Sequence, residues 1–319
     1  MRNLPVFITT ALVLAGCNAA IVPGRGSDAT NSVTPTTASR PFKFRTIVNP
    51  ADRTFNEALG INNSRTVAGY YGSGAVGHPS QGYTAVPGFA KNDFTAENFP
   101  GAVQTQVTAI NGSGDTAGIW LGSSRLPQGF IDWKGTFTSY NDPAASGGTE
   151  ILGLNDSGIA VGFYVGPSNQ RYGFTLDRAT GTFTGVTPPG ASNVTAAGVN
   201  DGADIVGYYS SGSTGSNSVG FLEKNGTFTA VAYPGAVSTM ALGVNAHDAV
   251  VGTYVDAYGK THGFLLRNPL NGPTYLWIDD PQGAGTTTLN GINDRINMVG
   301  YYVDTSGNTI GLLVERKKM

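Results

Sequence analysis

Cysteine, histidine and charge are all scarce in this 319-residue chain. It has one cysteine and three histidines, and charged residues make up 13% of the total, half the ~25% usual for soluble domains. A single cysteine excludes a disulfide framework and a multi-cysteine metal site, and His78, His247 and His262 are too widely spaced to form a metal-binding motif. A net charge of −2 leaves no strongly basic surface for a nucleic-acid backbone. We therefore expect no cofactor, no metal and no nucleic-acid partner.

Long apolar runs are missing too, apart from one near the N-terminus. Residues 1–17 read MRNLPVFITTALVLAGC, in which one arginine precedes an apolar stretch. That stretch is too short to span a hydrocarbon core of ~30 Å, so it is typical of a secretory signal. Leu14-Ala15-Gly16-Cys17 resembles the bacterial lipobox, which implies cleavage before Cys17 and a diacylglycerol on its thiol. The alternative is an ordinary signal peptide with an incidental cysteine.

These features predict a lipid-anchored protein of the bacterial cell envelope. Asn18 follows the cysteine, and in lipoproteins this resemblance favours the outer membrane. Residues 18–40 are rich in Ser, Thr, Ala, Gly and Pro and lack hydrophobic periodicity, as in a flexible linker. The predicted segments are a signal peptide (1–16), a lipidated tether (17–41), a folded domain (42–314) and a basic tail (315–319).

Glycine is abundant instead, at 46 residues, and it belongs to a repeat. Six segments align without gaps, and in each an asparagine is followed seven residues later by a glycine. The asparagines are Asn62, Asn111, Asn155, Asn200, Asn245 and Asn293, and the glycines are Gly69, Gly118, Gly162, Gly207, Gly252 and Gly300. Units of about 45 residues, each with four short strand-like stretches, are typical of propeller blades.

The two ends of the repeat region complement each other. In the fourth strand of each unit an aromatic residue lies six positions before a proline, and Phe44 and Pro50 supply such a pair ahead of the first unit. The last unit ends at Gly311-Leu312-Leu313-Val314 without a fourth strand. We therefore predict an all-β fold, a six-bladed β-propeller with four antiparallel strands per blade, closed by the N-terminal strand. The alternative, an open β-solenoid, leaves strand edges exposed.

The repeat resembles the HAF-type extracellular repeat of bacterial secreted proteins. The likeness is carried by His262-Gly263-Phe264, Gly226-Thr227-Phe228-Thr229, Pro234-Gly235-Ala236 and Gly291-Ile292-Asn293-Asp294. It covers nearly all of residues 42–314 and implies an extracytoplasmic repeat domain. That family has no general assigned function, so the resemblance implies no activity. Five of the six units lack the histidine, which excludes a repeated histidine ligand.

We interpret the repeated residues as structural. An asparagine at a turn can hydrogen-bond the main chain two residues ahead, and a glycine inside a strand permits close approach of a neighbouring strand. The phenylalanines of the Gly-Phe segments are predicted to pack between blades. A calcium loop is the rival interpretation for Asn155-Asp156-Ser157-Gly158, but these turns lack the ligand number that Ca²⁺ requires.

Function is expected where the repeat breaks down, on the face that carries the starts of the innermost strands and the loops after the second strands. We call this the variable-loop face. Its charged residues include Asp52, Arg53, Glu57, Arg125, Glu150, Arg171, Asp256, Lys260, His262 and Asp304. Glu57 and Glu150 occupy comparable positions in different blades, and glycoside hydrolysis uses two carboxyl groups. Since no nucleophile elbow or phosphate loop occurs, we nominate no catalytic residue.

An aromatic residue also ends the second strand of every unit: Tyr71, Trp120, Tyr164, Tyr209, Tyr254 and Tyr302. These rings either pack between blades or expose an edge at the channel mouth, where they can stack on a sugar or a peptide. Trp120 is the best candidate for the second role. The predicted binding residues are these six together with Arg171 and Glu150.

The expected function is that of a membrane-anchored, monomeric binding scaffold for a glycan or protein ligand. The alternative is a glycan-acting hydrolase or lyase with its site on the variable-loop face. A purely structural role is the third possibility.

Overall fold

The computed structural model describes residues 36–37, 42–211 and 217–317. Cys17, the predicted signal peptide and most of the predicted tether lie outside the described residues. Strands and turns make up nearly all of the described chain, with two single-turn 3₁₀ helices at Lys91–Asp93 and Pro167–Asn169. None of the helices in this part of the chain has the length and apolar character that crossing a membrane requires.

Six sheets of antiparallel strands form the blades, as the sequence predicts. In order from the innermost strand outwards, blade 1 is β3 (Asn56–Ile61), β4 (Val67–Tyr71), β5 (Gln81–Ala85) and β6 (Phe94–Ala96). Blade 2 is β7 (Gln104–Ile110), β8 (Thr116–Leu121), β9 (Pro127–Trp133) and β10 (Thr136–Tyr140). Blade 3 is β11 (Thr149–Leu154), β12 (Ile159–Val165), β13 (Arg171–Asp177) and β14 (Thr182–Val186).

The second half of the chain repeats this arrangement. Blade 4 is β15 (Ser192–Val199), β16 (Ile205–Ser211), β17 (Asn217–Lys224) and β18 (Thr227–Val231). Blade 5 is β19 (Ser238–Val244), β20 (Val250–Val255), β21 (Thr261–Arg267) and β22 (Thr274–Ile278). Blade 6 is β23 (Thr287–Ile292), β24 (Met298–Val303), β25 (Thr309–Arg316) and β2 (Phe42–Ile47).

The N-terminal strand closes the ring, which confirms the predicted closure. β2 is the outermost strand of blade 6 and pairs antiparallel with β25, with Phe42 opposite Arg316 and Ile47 opposite Gly311. Ile47 is fully buried in a cluster that also contains Val299 and Leu313 of blade 6 and residues of blade 1. The first and last strands are thus joined by a complete hydrogen-bonded ladder.

A further two-residue strand lies ahead of the propeller, within the segment predicted to be a tether. β1 (Thr36–Thr37) pairs in parallel with β22, so blade 5 has a fifth strand at its outer edge. At the other end, β25 continues two residues past the predicted limit at residue 314.

The core lies between the blades rather than inside them. Each of the six blade interfaces holds its own cluster of buried apolar side chains. The phenylalanines predicted for these interfaces are fully buried there: Phe130, Phe174, Phe221 and Phe264. β-branched and aromatic residues such as those of β20 suit strands that are covered on both faces, and this explains why charge is so scarce in the sequence.

The glycine inside each second strand is required by close approach, as predicted. At Gly162 an added Cβ would overlap the carbonyl oxygen of Glu150, on the innermost strand of the same blade. The register between β11 and β12 shifts at this level, between Ile151 and Gly153. This bulge is on the innermost strand, next to the central channel, at the level where the second-strand glycine approaches it.

Candidate functional site

The direction of the innermost strands gives the central channel two different ends. Each innermost strand begins at the variable-loop face and ends at its repeated asparagine, so the asparagines gather at the opposite end. We call that end the asparagine face. The two ends use their polar groups in different ways.

At the asparagine face, the six repeated asparagines form a closed ring of hydrogen bonds. Each side-chain amide donates to the main-chain carbonyl oxygen of the equivalent asparagine in the next blade, over 3.0 to 3.4 Å. Each Oδ1 also accepts main-chain N–H groups of its own turn, as Asn155 does from Ser157 and Ile159. Both the nitrogen and the oxygen of each side-chain amide are therefore bonded within the protein, so the ring has a structural role.

A second set of hydrogen bonds surrounds this ring. Asp156 accepts from the main-chain N–H of Gly112, and Asp201 accepts from that of Asp156, over 2.6 and 2.9 Å. Asp294 accepts from the amide of Asn63 over 2.7 Å. The ring borders a cavity of about 90 Å³, and within the described ranges no cluster of His, Cys, Asp or Glu is arranged to hold a metal ion. The polar groups at this end already join blade to blade.

The variable-loop end of the channel contains Glu57, on β3 of blade 1. Its side chain is 3% exposed, and the hydroxyl of Tyr70 donates to its Oε2 over 2.9 Å. Burial raises the pKa of Glu57 to about 7, although the hydrogen bond from Tyr70 acts in the opposite direction. This carboxyl group therefore changes its charge near neutral pH.

Glu150 occupies the equivalent position on β11 of blade 3 and is 7% exposed. No hydrogen bond joins its carboxylate to any other described residue. Glu150 lies opposite Phe163 in the strand pair, as Glu57 lies opposite Tyr70, so the two glutamates are on the same, channel-facing side of their sheets. Burial raises the pKa of Glu150 to about 7, and the positive charge of Arg171 opposes that rise. A buried carboxylate without a protein partner is unusual.

Arg171 lies at the mouth of the channel above Glu150. It begins β13, is exposed on the variable-loop face, and holds its guanidinium 4.8 Å from the ring centroid of Phe163. Its Nη1 is 3.5 Å from the hydroxyl of Tyr208 on blade 4. The stacked ring restrains the guanidinium at the rim, where it remains accessible.

The charge of Glu150 acts across the channel on a group of a blade that is not its neighbour. The pKa of Tyr70, on blade 1, is raised by burial and further by the negative charges of Glu57 and of Glu150 on blade 3. Burial and the charge of Glu57 likewise raise the pKa of Tyr301, on blade 6. Interactions between blades 1 and 3 pass through the centre of the ring. We call Glu57, Tyr70, Glu150, Arg171, Thr195, Tyr208 and Tyr301 the upper channel.

Thr195 completes the upper channel from blade 4. It is the counterpart of Glu57 and Glu150 on β15, lies opposite Tyr208 in the strand pair, and is fully buried. Its Oγ1 has no hydrogen-bond partner within the described chain. Two polar side chains of the upper channel, those of Glu150 and Thr195, are thus buried without a protein partner.

The sequence predicts Glu57, Glu150 and Arg171 as residues of this face. The structure places the charge of Arg171 near Glu150 and places Glu57 at the same strand position in blade 1, in contact with Tyr70. The sequence does not identify Tyr70, Tyr208, Tyr301 or Thr195. The available signal was the doubled aromatic after the second-strand glycine, as in Gly69-Tyr70-Tyr71. Since successive strand residues point to opposite faces, the first ring of each pair faces the channel and the second faces a blade interface.

The nominated second aromatics accordingly pack between blades. Five of them belong to or border the apolar interface clusters: Trp120, Tyr164, Tyr209, Tyr254 and Tyr302. Tyr71 is half-buried. Packing accounts for these rings, and their part in ligand binding stays a prediction.

Trp120 has the most complete set of contacts. Its ring stacks on Phe99 with centroids 4.3 Å apart, and its Nε1 donates to Ser139 Oγ over 3.1 Å. Both its apolar face and its polar edge are therefore used within the fold.

His262 lies on the same face, in blade 5, between two carboxylates. Its Nδ1 is 2.7 Å from Asp279 Oδ2 and its Nε2 is 3.3 Å from Asp256 Oδ2, while its ring stacks on Tyr254. The hydrogen bond to Asp279 raises the pKa of His262. Because each ring nitrogen contacts a carboxylate, His262 connects the segment that carries Asp256 with the segment that carries Asp279.

The other nominated loop charges do not join the upper channel. Asp52 and Asp304 accept hydrogen bonds from main-chain N–H groups of their own turns. Arg53, Arg125 and Lys260 are exposed.

Comparison with known proteins establishes the fold. No protein-family model and no curated protein matches the chain. Among solved structures, it is similar to the SapL1 lectin in complex with α-methyl fucoside (13% identity, TM-score 0.50, covering 83% of this chain and 96% of that one). It is also similar to an Aleuria aurantia lectin in complex with α-methyl-L-fucoside (10% identity, TM-score 0.50, covering 88% and 93%).

A prolyl endopeptidase is similar at 12% identity and a TM-score of 0.48 over 83% of this chain. This chain spans 40% of the length of that enzyme. At these identities the likeness to the two lectins shows the fold alone.

Proposed function

We propose that this protein is a binding propeller of the bacterial cell envelope that takes a glycan or protein ligand at the upper channel. The observation that carries the proposal is the carboxylate of Glu150, which is buried, faces the channel space and has no hydrogen-bond partner among the described residues. Buried polar groups are ordinarily satisfied, so this one is available to a ligand or to water. Arg171 at the rim offers an accessible set of donors beside it.

The contrast between the two channel ends supports this location. At the asparagine face the amides are used in joining blades. In the upper channel the Glu150 carboxylate has no hydrogen-bond partner among the described residues, and its residue is 7% exposed. A rigid ring that places free polar groups beneath variable loops is suited to recognition. The fucoside-bound lectins with the same fold are compatible with a glycan ligand.

The test is a binding screen of the full chain against a panel of glycans and peptides, followed by two matched variants. Arg171→Gln removes the charge at the rim of the upper channel, and Arg125→Gln removes an exposed charge from the corresponding loop of blade 2. We expect Arg171→Gln to weaken binding of the identified ligand about tenfold, as for loss of a charge-assisted hydrogen bond, and Arg125→Gln to leave it unchanged. Equal affinities for all three proteins would place the ligand elsewhere and refute the proposal.

A second candidate function is supported by one specific observation. Burial raises the pKa of both Glu57 and Glu150 to about 7, a value suited to a general acid or base near neutral pH. A glycan-acting hydrolase or lyase is therefore the alternative. It requires turnover of a bound glycan that Glu57→Gln and Glu150→Gln abolish while binding persists. Absence of products from every glycan that binds would leave the binding function alone.

The proposed location depends on Cys17. In this proposal the cysteine carries the lipid, residues 18–35 separate it in sequence from the described chain, and the HAF-type repeats form an extracytoplasmic domain. Cys17→Ala is expected to accumulate as an unprocessed precursor or to leave the membrane fraction. Normal processing and normal membrane fractionation of Cys17→Ala would refute the lipid anchor without affecting the proposed ligand site.

A further inference from the structure

Charge is distributed unevenly over the asparagine face. In every blade the turn after the innermost strand, the end of the third strand and the start of the fourth strand lie at this face. At these positions in blades 2, 3 and 4 the carboxylates outnumber the cations: Asp115, Asp132, Asp156, Asp177, Asp201, Asp204 and Glu223 against Lys134, Arg178 and Lys224. In blades 5, 6 and 1 the cations outnumber the carboxylates: Lys43, Arg45, Arg65, Lys91, Arg267, Arg295, Arg316 and Lys317 against Asp93, Asp248, Asp294 and Glu315. We call these cations, without Lys91, the basic patch.

The basic patch lies at the seam where the chain enters and leaves the propeller. β2 begins at Phe42, opposite Arg316 at the end of β25. Arg295 lies in the turn between β23 and β24, beside the end of β25, because Met298 pairs with Val314. The patch is therefore at the edge of the asparagine face where the propeller is joined to the segment that contains Cys17.

The carboxylates of this region do not neutralise the patch. Glu315 is 2.8 Å from Arg65 and 3.7 Å from Arg45, so one carboxylate serves two guanidinium groups. Asp248 is paired with Lys224 of blade 4. Across the described chain, five residues of the patch form no ion pair: Lys43, Arg267, Arg295, Arg316 and Lys317. The patch thus keeps a surplus of positive charge.

Two of these five residues act on each other across a blade interface. Arg267 ends β21 of blade 5, and Arg316 ends β25 of blade 6. Burial lowers the pKa of Arg267, and the positive charge of Arg316 lowers it further. Like charges that lie this close favour an anionic partner over water alone.

Exposed apolar side chains flank the patch. Leu270, in the loop that follows Arg267, is 44% exposed, and Val86, in the loop after β5, is 48% exposed. Protein segments that bind membrane surfaces combine basic residues, which attract lipid phosphates, with apolar side chains that enter the headgroup layer. Because a soluble polyanion offers apolar side chains nothing to pack against, the combination favours a lipid surface.

We propose, on the basis of the lipid anchor in the function above, that the basic patch docks on the phosphate groups of an anionic lipid bilayer. Leu270 and Val86 enter the headgroup layer beside it. The asparagine face is then directed towards the membrane, and the upper channel opens away from it. The patch determines the orientation of the propeller, while the acyl chains of Cys17 hold it at the membrane.

The experiment measures binding to lipid vesicles by cosedimentation, with the full chain. Vesicles of phosphatidylcholine are compared with vesicles of phosphatidylcholine and phosphatidylglycerol in equal parts. Every protein carries Cys17→Ala, so that no acyl chain contributes, and all share the same residues before β1. The patch variant removes three exposed charges: Arg295→Gln/Arg316→Gln/Lys317→Gln. The control removes three exposed charges from the variable-loop face: Arg53→Gln/Arg125→Gln/Lys260→Gln.

We expect the parent protein and the control to bind the anionic vesicles at least about tenfold more tightly than the neutral ones. Since each basic residue near an anionic surface contributes about fivefold, the patch variant should lose most of this preference. An equal preference in all three proteins would overturn the inference, because charges elsewhere in the chain would then account for the binding.

A second pair of variants separates a bilayer from a soluble polyanion. Leu270→Ser should weaken binding to the anionic vesicles about threefold, as for partial loss of a buried leucine side chain, and leave binding of dextran sulfate unchanged. Val237→Ser, which alters a similarly exposed residue of the variable-loop face, should change neither. Patch-dependent binding of dextran sulfate without any preference for anionic vesicles would assign the patch to a soluble polyanion and overturn the inference.

The inference and the proposed function fail in different ways. Normal processing and membrane fractionation of Cys17→Ala in cells refute the lipid anchor, while the vesicle comparison still decides whether the patch binds lipid. A vesicle preference that does not depend on the patch refutes the inference alone. The tests of Cys17 and Arg171 are unaffected by that result.

Discussion

The side-chain amide of Asn293 donates a hydrogen bond of 3.0 Å to the main-chain carbonyl of Asn62, 231 residues earlier in the chain. This contact joins blade 6 to blade 1 and completes the ring of six asparagines. It lies at the same seam that β2 closes by pairing with β25. The propeller is thus closed twice, by a strand at its outer edge and by a side chain at its axis.

We expect truncation of one asparagine of the ring to destabilise the propeller. In Asn155→Ala, the bond of 3.1 Å to the carbonyl of Asn200 is lost together with the turn contacts to Ser157 and Ile159. Since net hydrogen bonds contribute about 1 kcal/mol each and a buried unpaired carbonyl adds a penalty, we expect unfolding free energy to fall by about 2–3 kcal/mol. Chemical denaturation measures this loss, with the exposed Asn141→Ala as the control.

A second variant separates the two roles of the same side chain. Asn155→Asp keeps the oxygen that the turn N–H groups need, but it replaces the amide donor with an oxygen that faces the Asn200 carbonyl. We expect it to be destabilised as well. If Asn155→Asp were as stable as the unmodified protein, the turn alone would explain the repeated asparagine.

If β2 holds the ring closed, truncating its buried side chain should lower the stability of the protein. Ile47 is fully buried between blades 6 and 1, so Ile47→Ala is expected to lower the unfolding free energy by about 2–4 kcal/mol, as for other buried isoleucines. Lys43→Ala, in the same strand but exposed, should change it little. Thermal denaturation that shows the same midpoint for both variants would mean that β2 does not hold the ring together.

The fold was predictable because the residues that define a blade recur in every repeat. Each asparagine, each second-strand glycine and the complementary ends are visible as fixed spacings, and they determine the number of blades and the closing strand. The donation from each asparagine to the next blade was not predictable. It depends on the distance between neighbouring turns, which the spacing within one unit does not contain.

The site was predictable only in part, for a related reason. Glu57 and Glu150 stand out because they are charged residues at equivalent positions of different repeats. Tyr70 and Tyr301 do not stand out, because each is followed by a second tyrosine and the pattern alone does not say which ring faces the channel. The effect of Glu150 on Tyr70 crosses between blades that are far apart in the chain, and such an interaction leaves no local signal.

The raised pKa values of Glu57 and Glu150 predict how stability depends on pH. Each carboxyl group has an ordinary pKa of 4.5 in the unfolded chain and about 7 in the folded protein. Between these values the folded state binds more protons, so the unfolding free energy falls as pH rises from 4.5 to 7 and is lowest above that range. A shift of this size corresponds to roughly 3 kcal/mol per group.

The measurement is a series of urea denaturation curves between pH 5 and pH 8. The double variant Glu57→Gln/Glu150→Gln should show a flatter dependence and should be the more stable protein at the alkaline end. Parallel curves for the two proteins would show that neither glutamate titrates as its burial implies.

Substitutions of Trp120 distinguish a packing role of the second-strand aromatics from a ligand-binding role. Its ring stacks on Phe99 at 4.3 Å and its Nε1 donates to Ser139, so Trp120→Ala removes a half-buried aromatic from the interface between blades 1 and 2. We expect the unfolding free energy to fall by about 2–3 kcal/mol, below the range for fully buried aromatics. Trp120→Phe, which keeps the stacking and loses the hydrogen bond, should lose about 1 kcal/mol.

The same two variants are then assayed with whichever ligand the channel screen identifies. Since the Trp120 ring faces a blade interface and not the upper channel, both folded variants should bind that ligand with unchanged affinity. A loss of affinity in Trp120→Ala, combined with unchanged stability, would reverse this assignment. It would move the ligand from the channel to the outer part of the variable-loop face, where the ring of aromatics ends the second strands.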